Sequence, residues 1–363
     1  MKAPGVGIVG IGVHLPETIR RNDFWNLEQL AAFKKRKKDD IGLLSAREEL
    51  ASSELAAMVR EEMGRWKADP FHGAVERHVA DEAVRSSDME VAAARQALDD
   101  AHLEPGDIDQ LFLLSMLPDR AMTTNPAIVH RRLGLKKTCV ALNTDAQCTG
   151  FLFQLQLGAA AIATGSANYV LLVQSALFSP ALDYSNPVST TFGDAASAVV
   201  LGRVPTQRGI LAHQSFMDSE YFDIAILAAP HDEPWYSAHD GPLTFQTGNP
   251  SKLADIPILS AHAARDSIGA ALEEACLAPE DVAFFTSHQP NASFNAICRR
   301  AAGLDGVRFV DTFPTLGAIS SCVVPANLRL GRERGLLRDD DVAVVYSTGN
   351  GMSWAAAVLR WGR

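Results

Sequence analysis

Residues 97–108 read ALDDAHLEPGDI and residues 271–282 read ALEEACLAPEDV, 174 residues further on. Each copy is the end of an amphipathic helix, a Pro-bearing turn and the start of a strand. The likeness then continues in the same order. The first copy runs into LFLLSM (111–116) and NPAIVHRRLGL (125–135), the second into VAFFTSH (282–288) and FNAICRRAAGL (294–304). Chance explains one short match poorly and two in the same order worse, so we read an internal duplication. Such a chain must fold as two similar halves, each of ordinary domain size. We place them at 1–203 and 204–363. The same separation carries Cys148 onto Cys322, so the two cysteines are expected at equivalent places, each where a strand gives way to a small-residue helix.

Within each half, strands alternate with helices. Apolar, β-branched runs at 5–13, 169–176 and 196–202 read as strands buried on both faces. FLFQLQLGAAAIAT (151–164) is apolar all round, which suits a helix sealed inside a sandwich. The expected class is α/β, with helices packed between two sheets. Residues 21–70 stand apart. They are rich in charge, Ala and Leu, with helical periodicity over 26–38 and 45–64, and are expected to form a helical insertion on the surface.

Composition excludes several functions. The net charge of −10 argues against a nucleic-acid binder. One basic run, Lys34 to Lys38, is followed at once by Asp39 and Asp40. It reads as a solvated helix face, or as a docking patch for an acidic carrier protein. The five cysteines are irregularly spaced without a C-x-x-C pair, which fits neither a disulfide framework nor a metal site. No run approaches the ~20 apolar residues of a membrane span. The start of the chain is too glycine-rich for a signal peptide. A soluble, cytoplasmic protein is the expectation.

Three stretches carry residue types suited to chemistry. In Asp145-Ala146-Gln147-Cys148-Thr149-Gly150-Phe151 a cysteine stands at the start of an apolar helix, where unpaired N–H groups and the helix dipole favour thiolate. In Thr286-Ser287-His288-Gln289-Pro290-Asn291 a strand ends in a histidine, the usual general base near neutral pH. In Ser347-Thr348-Gly349-Asn350-Gly351-Met352-Ser353-Trp354 a glycine turn brings backbone N–H groups close to a ligand, as an oxyanion requires. Taken singly, each is as well read as a buried cysteine, a satisfied loop histidine and a plain turn.

Taken together they resemble the ketoacyl-ACP synthase III family of the thiolase-like superfamily. That family carries C-[ST]-G-F, H-Q-x-N and G-x-G-x-[ST]-W, matched here by Cys148 to Phe151, His288 to Asn291 and Gly349 to Trp354. Phe192-Gly193-Asp194-Ala195-Ala196 is similar to the family's F-G-D-G-A, and Glu76-Arg77-His78-Val79-Ala80 to another of its markers. The resemblance covers nearly all of 5–362 outside the insertion. It implies a five-layered αβαβα fold and a homodimer. It implies Cys148 as acylated nucleophile, His288 as its partner, and an oxyanion hole from the N–H groups of Cys148 and Gly351. The donor would be an acyl carrier protein or acyl-CoA, a substrate and not a cofactor. By resemblance, 115–125 lies at the dimer contact, with Met122 capping the partner's tunnel.

The sequence also departs from that family. Aligning Gly317 and Pro325 with the family's G-N-T-S-A-A-S-[IV]-P places Ala318 where its catalytic asparagine belongs. In decarboxylative condensation that asparagine helps hold the enolate, and losing one such donor costs ~2.7–4 kcal/mol of transition-state stabilisation. Loading of Cys148 does not depend on it. The leading expectation is therefore an acyltransferase that delivers the acyl group to a hydroxyl, amine or thiol with His288 as base. Condensation with Asn291, Ser320 or Ser321 in the asparagine's place is the alternative. A silent partner subunit of a ketosynthase is a third reading, opposed by retention of both Cys148 and His288. The arginines by which the family holds coenzyme A are missing from 70–74 and 186–189. With the insertion, this points to a carrier-protein donor and a specialised natural-product, fatty-acid or polyketide pathway.

Overall fold

In the computed structural model, residues 2–33, 46–229, 234, 236, 237 and 243–363 are described. The basic run at 34–38 lies outside them. The chain opens with β1 (Ala3–Pro4), β2 (Val6–His14) and β3 (Thr18–Arg21). After the insertion, whose principal helix is α1 (Glu54–Gly64), come β4 (Glu76–Val79) and α2 (Ser86–Ala101). The first half continues through β5 (Gln110–Ser115), α3 (Asn125–Leu133), β6 (Val140–Asn143), α4 (Gly150–Ala163), β7 (Val170–Ala176) and β8 (Ala195–Arg203). The second half holds β9 (Gly209–Met217), the hairpin β10 (Ala225–Ala228) and β11 (Thr244–Thr247), and α5 (Ile256–Ala275). It ends with β12 (Val282–Ser287), α6 (Phe294–Ala301), β13 (Arg308–Phe309), α7 (Val323–Glu333), β14 (Val342–Gly349) and β15 (Ser353–Arg360).

The duplication is plain in the sheets. The first has strand order β2-β8-β7-β5-β6, the second β9-β15-β14-β12-β13, with β1 added at its edge. In each, the first two pairings are antiparallel and the last two parallel. Local chemistry repeats as well. Helices α2 and α5 end on left-handed residues, His102 at φ 55° and Cys276 at φ 57°. The Pro turns that follow are clasped alike: Asp107 accepts from the Glu104 N–H at 2.9 Å and Asp281 from the Ala278 N–H at 2.8 Å.

Five layers result. Helices α2 and α3 cover the first sheet, α5 and α6 cover the second, and α4 and α7 fill the space between. The middle layer is the main core, built on Phe151, Leu155, Ile162, Val324 and Leu328. This is why 151–164 is apolar all round: α4 meets a sheet on either side. The insertion lies on the second half. Ala56 and Val59 of α1 pack against Ile258, Ala261 and Ile297 of α5 and α6. Fully burying one such aliphatic side chain contributes roughly 1.5–3 kcal/mol.

One expectation needs correcting. A 3₁₀ turn precedes α4 at Gln147–Thr149, and a matching one precedes α7 at Ser320–Cys322. Each starts on a left-handed residue, Gln147 at φ 48° and Ser320 at φ 50°. The counterpart of Cys148 is therefore Ser321, while Cys322 matches Thr149. The two turns are 173 residues apart, against 174 in the α2–β5 region and 169 between 125–135 and 294–304, so several connections differ in length between the halves.

Candidate active site

Three chain segments meet above α4. The first is the turn at 147–149. Its backbone is pinned by Ser347, whose hydroxyl donates to the Cys148 carbonyl at 2.7 Å. Thr149 adds a second tie, donating to the Ser353 carbonyl at 3.1 Å. The second is the end of β12, where the His288 N–H pairs with the Tyr346 carbonyl at 3.0 Å. The third is the glycine turn between β14 and β15. A Cβ on Gly349 would sit 2.6 Å from Thr149 Oγ1 and 2.9 Å from the Ala146 carbonyl, so glycine lets this turn pack against the 146–149 segment. Gly351, at φ 79°, makes the left-handed bend.

Cys148 and His288 line the same cavity, of about 210 Å3. Much of its remaining wall is apolar: Met63, Tyr221, Ile224, Ile256, Phe294 and Met352. Met63 comes from α1, so the insertion helps to build the wall. Asn291 lines it too, and its Oδ1 accepts from the Ser293 and Phe294 N–H groups at 3.0 and 3.1 Å, which orients the side chain at the start of α6. Across Asn350 lies a larger cavity of about 570 Å3, lined by Phe153, Phe178, Phe245, Ile226 and Leu227, with Gly351 and Gln147 at its near end.

The electrostatics differ from the sequence expectation. Burial pushes the Cys148 thiol up to about 11, against a smaller lowering by the Ser320 hydroxyl. Gly150 opens α4, so Cys148 sits one 3₁₀ turn ahead of the helix, and desolvation is the largest influence on its thiol. Burial also takes His288 down to about 4, opposed by a smaller raising effect of the Ser320 backbone. Its Nδ1 is buried without a partner among the described residues. At neutral pH the resting pair is thiol and neutral imidazole.

The other predicted positions scatter. Ala318 is 2% exposed and lies in an apolar cluster with Ala74 and Phe313, outside both cavities. Ser320 reaches the cysteine: its Oγ lies 3.3 Å from Cys148 Sγ and 3.6 Å from Met116 Sδ. Ser321 is buried, with its Oγ unpartnered among the described residues. Met122 is 86% exposed and lines neither cavity. Sequence reasoning missed the wall residues Met63, Tyr221, Ile224 and Ile256. They come from remote segments without a motif, and only the fold brings them together. Among the described residues, no group of three or more His, Cys, Asp or Glu could hold a metal ion. No described helix is long and apolar enough to cross a membrane.

Comparison with known proteins bears on this geometry. The 3-oxoacyl-[acyl-carrier-protein] synthase III pattern matches residues 142–219, and the C-terminal pattern of the same name matches 272–361. The Bacillus pumilus beta-ketoacyl-[acyl-carrier-protein] synthase III is 30% identical over 292 residues, 80% of this chain and 88% of the relative. The chain belongs to the 3-oxoacyl-ACP synthase III family. Its Geobacillus kaustophilus relative of the same name is 28% identical over 99% of this chain and 100% of its own. Among solved structures, the synthase III of Aquifex aeolicus superposes with a TM-score of 0.75 at 22% identity, covering 98% of this chain and all of that one. Cerulenin-bound OleA of Xanthomonas campestris superposes at 0.78 and 20% identity, covering 99% of this chain and 98% of that one. These likenesses establish the thiolase-like fold. As a member of the synthase III family, the chain carries its Cys148 and His288 motifs inside the two matched stretches.

Proposed function

We propose that this protein loads an acyl group from a thioester donor onto Cys148 and passes it to an acceptor with His288 as general base. The observation that carries the reading is the shared cavity of Cys148 and His288, lined also by the glycine turn that packs on Ala146 and Thr149, on either side of the cysteine in the chain. Cys148 Sγ attacks the thioester carbonyl, and the N–H groups of Cys148 and Gly351 face the oxyanion. The apolar cavity of about 570 Å3 on the far side of that turn suits the acyl chain. The narrower cavity suits a pantetheine arm, delivered by a carrier protein or by coenzyme A. The two missing coenzyme A arginines favour a carrier protein and a specialised biosynthetic setting. A homodimer fits the exposed edge of β6, where Val140 and Leu142 are 54% and 50% exposed.

The acceptor divides two readings. Burial of Ala318 in an apolar cluster favours delivery to a hydroxyl, amine or thiol, since no amide stands there to hold an enolate. The names of the relatives and the presence of Asn291 in the cavity favour decarboxylative condensation. Incubating the acylated enzyme with a malonyl-carrier donor decides between them. Acyl transfer to a non-malonyl acceptor without carbon dioxide release supports the first reading; stoichiometric carbon dioxide overturns it in favour of the second.

A further inference from the structure

Ser320 stands where no part of that reading needs it. It is 1% exposed, and its backbone is left-handed at φ 50°, a conformation that a residue with a Cβ rarely adopts. The kink has a geometric result. It turns the Ser320 hydroxyl onto Cys148 Sγ at 3.3 Å, and the backbone of the same residue lies beside His288, where it favours the charged imidazole. One residue therefore stands beside both members of the pair. Its O–H meets the sulfur, and its backbone acts on the ring. Met116 Sδ is the other group near the hydroxyl, at 3.6 Å, and a thioether is too weak an acceptor to hold it away from a thiolate. The matching kink of the first half does nothing comparable: Gln147 turns its amide to Asp145 at 2.7 Å.

We propose that Ser320 is a third catalytic residue, which stabilises the thiolate–imidazolium pair formed when Cys148 gives its proton to His288. This rests on the function proposed above and adds a named donor to it. The proton balance is simple. The thiol proton passes to the free ring nitrogen of His288. Sγ then bonds to the donor's thioester carbon, the old carbon–sulfur bond breaks, and the departing thiolate takes the proton back from His288. While the pair is charged, the Ser320 hydroxyl donates to the sulfur anion and its backbone favours the imidazolium. Both effects strengthen on charge separation, which is the property of a group that lowers a barrier and not merely a ground state. The surroundings make this contribution necessary, since burial disfavours both charged forms.

The test uses iodoacetamide, which reports thiolate at Cys148 without any acyl donor, followed on the full chain by peptide mass. Hydrogen bonds to charged groups predict that Ser320→Ala slows alkylation of Cys148 roughly 10- to 100-fold at pH 8. The same variant should shift the pH profile of alkylation upward. Ser320→Gly removes the same hydroxyl and relaxes the left-handed backbone, so it keeps the test open if the alanine variant folds poorly. Alkylation of both variants at the wild-type rate, with unchanged pH profile, overturns the proposal. That outcome leaves acyl loading of Cys148 standing if wild type still gains an acyl mass. Absence of any acyl mass on wild type sinks the function while the alkylation comparison still reads on Ser320.

Discussion

The turns at 147–149 and 320–322 have the same backbone and opposite fates. Both start on a left-handed residue and open into a middle-layer helix. In the first, the central residue is Cys148, which faces a cavity together with His288. In the second, it is Ser321, sealed at 1% exposure with its hydroxyl unpartnered among the described residues. The neighbouring Cys322 is also sealed, and burial holds its thiol up at about 12. The contrast teaches that a kinked turn ahead of a helix does not make a nucleophile. Access and a base decide it. The strands tell the same story, because β12 ends next to His288 where β5 ends in Ser115 and is followed by Met116, and a thioether cannot take a proton.

The largest effect should come from that base. Replacing His288 with Ala should slow acyl delivery from Cys148 by ~10²–10⁴-fold, the usual contribution of a general base. Met116→Ala, at the matching place in the first half, should change the rate far less. Single-turnover transfer from the preloaded enzyme measures both. Equal losses in the two variants would remove the asymmetry we assign to the site.

The outer layers differ between the halves as well. Glu90 of α2 is fully buried, accepting from Ser175 at 2.6 Å, from Asn125 at 2.9 Å and from Ser115. The corresponding position of α5, 174 residues on, is Ala264. Burial holds the Glu90 carboxyl up at about 7 against 4.5 for a free one. Between these values the folded chain keeps a proton that the unfolded chain has lost. Stability from this group is therefore present below about 4.5 and is lost as pH rises through about 7. The loss amounts to roughly 3 kcal/mol. The stability difference between wild type and Glu90→Gln, measured by denaturant at about pH 4.5 and about pH 8, should move by about that amount in favour of the glutamine variant at the higher pH. A constant difference would show that folding does not raise this carboxyl.

Much of this is legible in the sequence, for reasons that can be named. The α2–β5 and α5–β12 connections can be read because turn chemistry is local: Asp107 and Asp281 clasp the same Pro turn in each copy. The middle helix α4 is legible because burial on two faces leaves it no polar stripe. The pairing of Cys148 with Cys322 fails because several connections between the matched stretches differ in length, and such irregular segments leave no periodic signal. The rise in the Cys148 thiol is hidden for another reason. The cavity that Cys148 lines is walled by Met63, Tyr221 and Ile256, which stand far from it in the chain. Glu90 does carry a signal, a lone acid on the apolar face that holds Ala93, Ala94 and Ala97.

The smallest effect should come from Ser321. Its hydroxyl is buried without a partner among the described residues, so Ser321→Ala should leave acyl loading unchanged and stability unchanged or slightly raised. A loss of loading would mean that the second turn takes part after all.

The central claim, that the first turn alone carries the acyl group, is tested by intact mass. Wild type and Cys148→Ala are each incubated with an acyl-carrier-protein thioester and with acyl-CoA, then weighed. The account predicts one acyl mass on wild type with at least one donor and none on Cys148→Ala with either. An acyl mass on Cys148→Ala, or none on wild type with both donors, would contradict it.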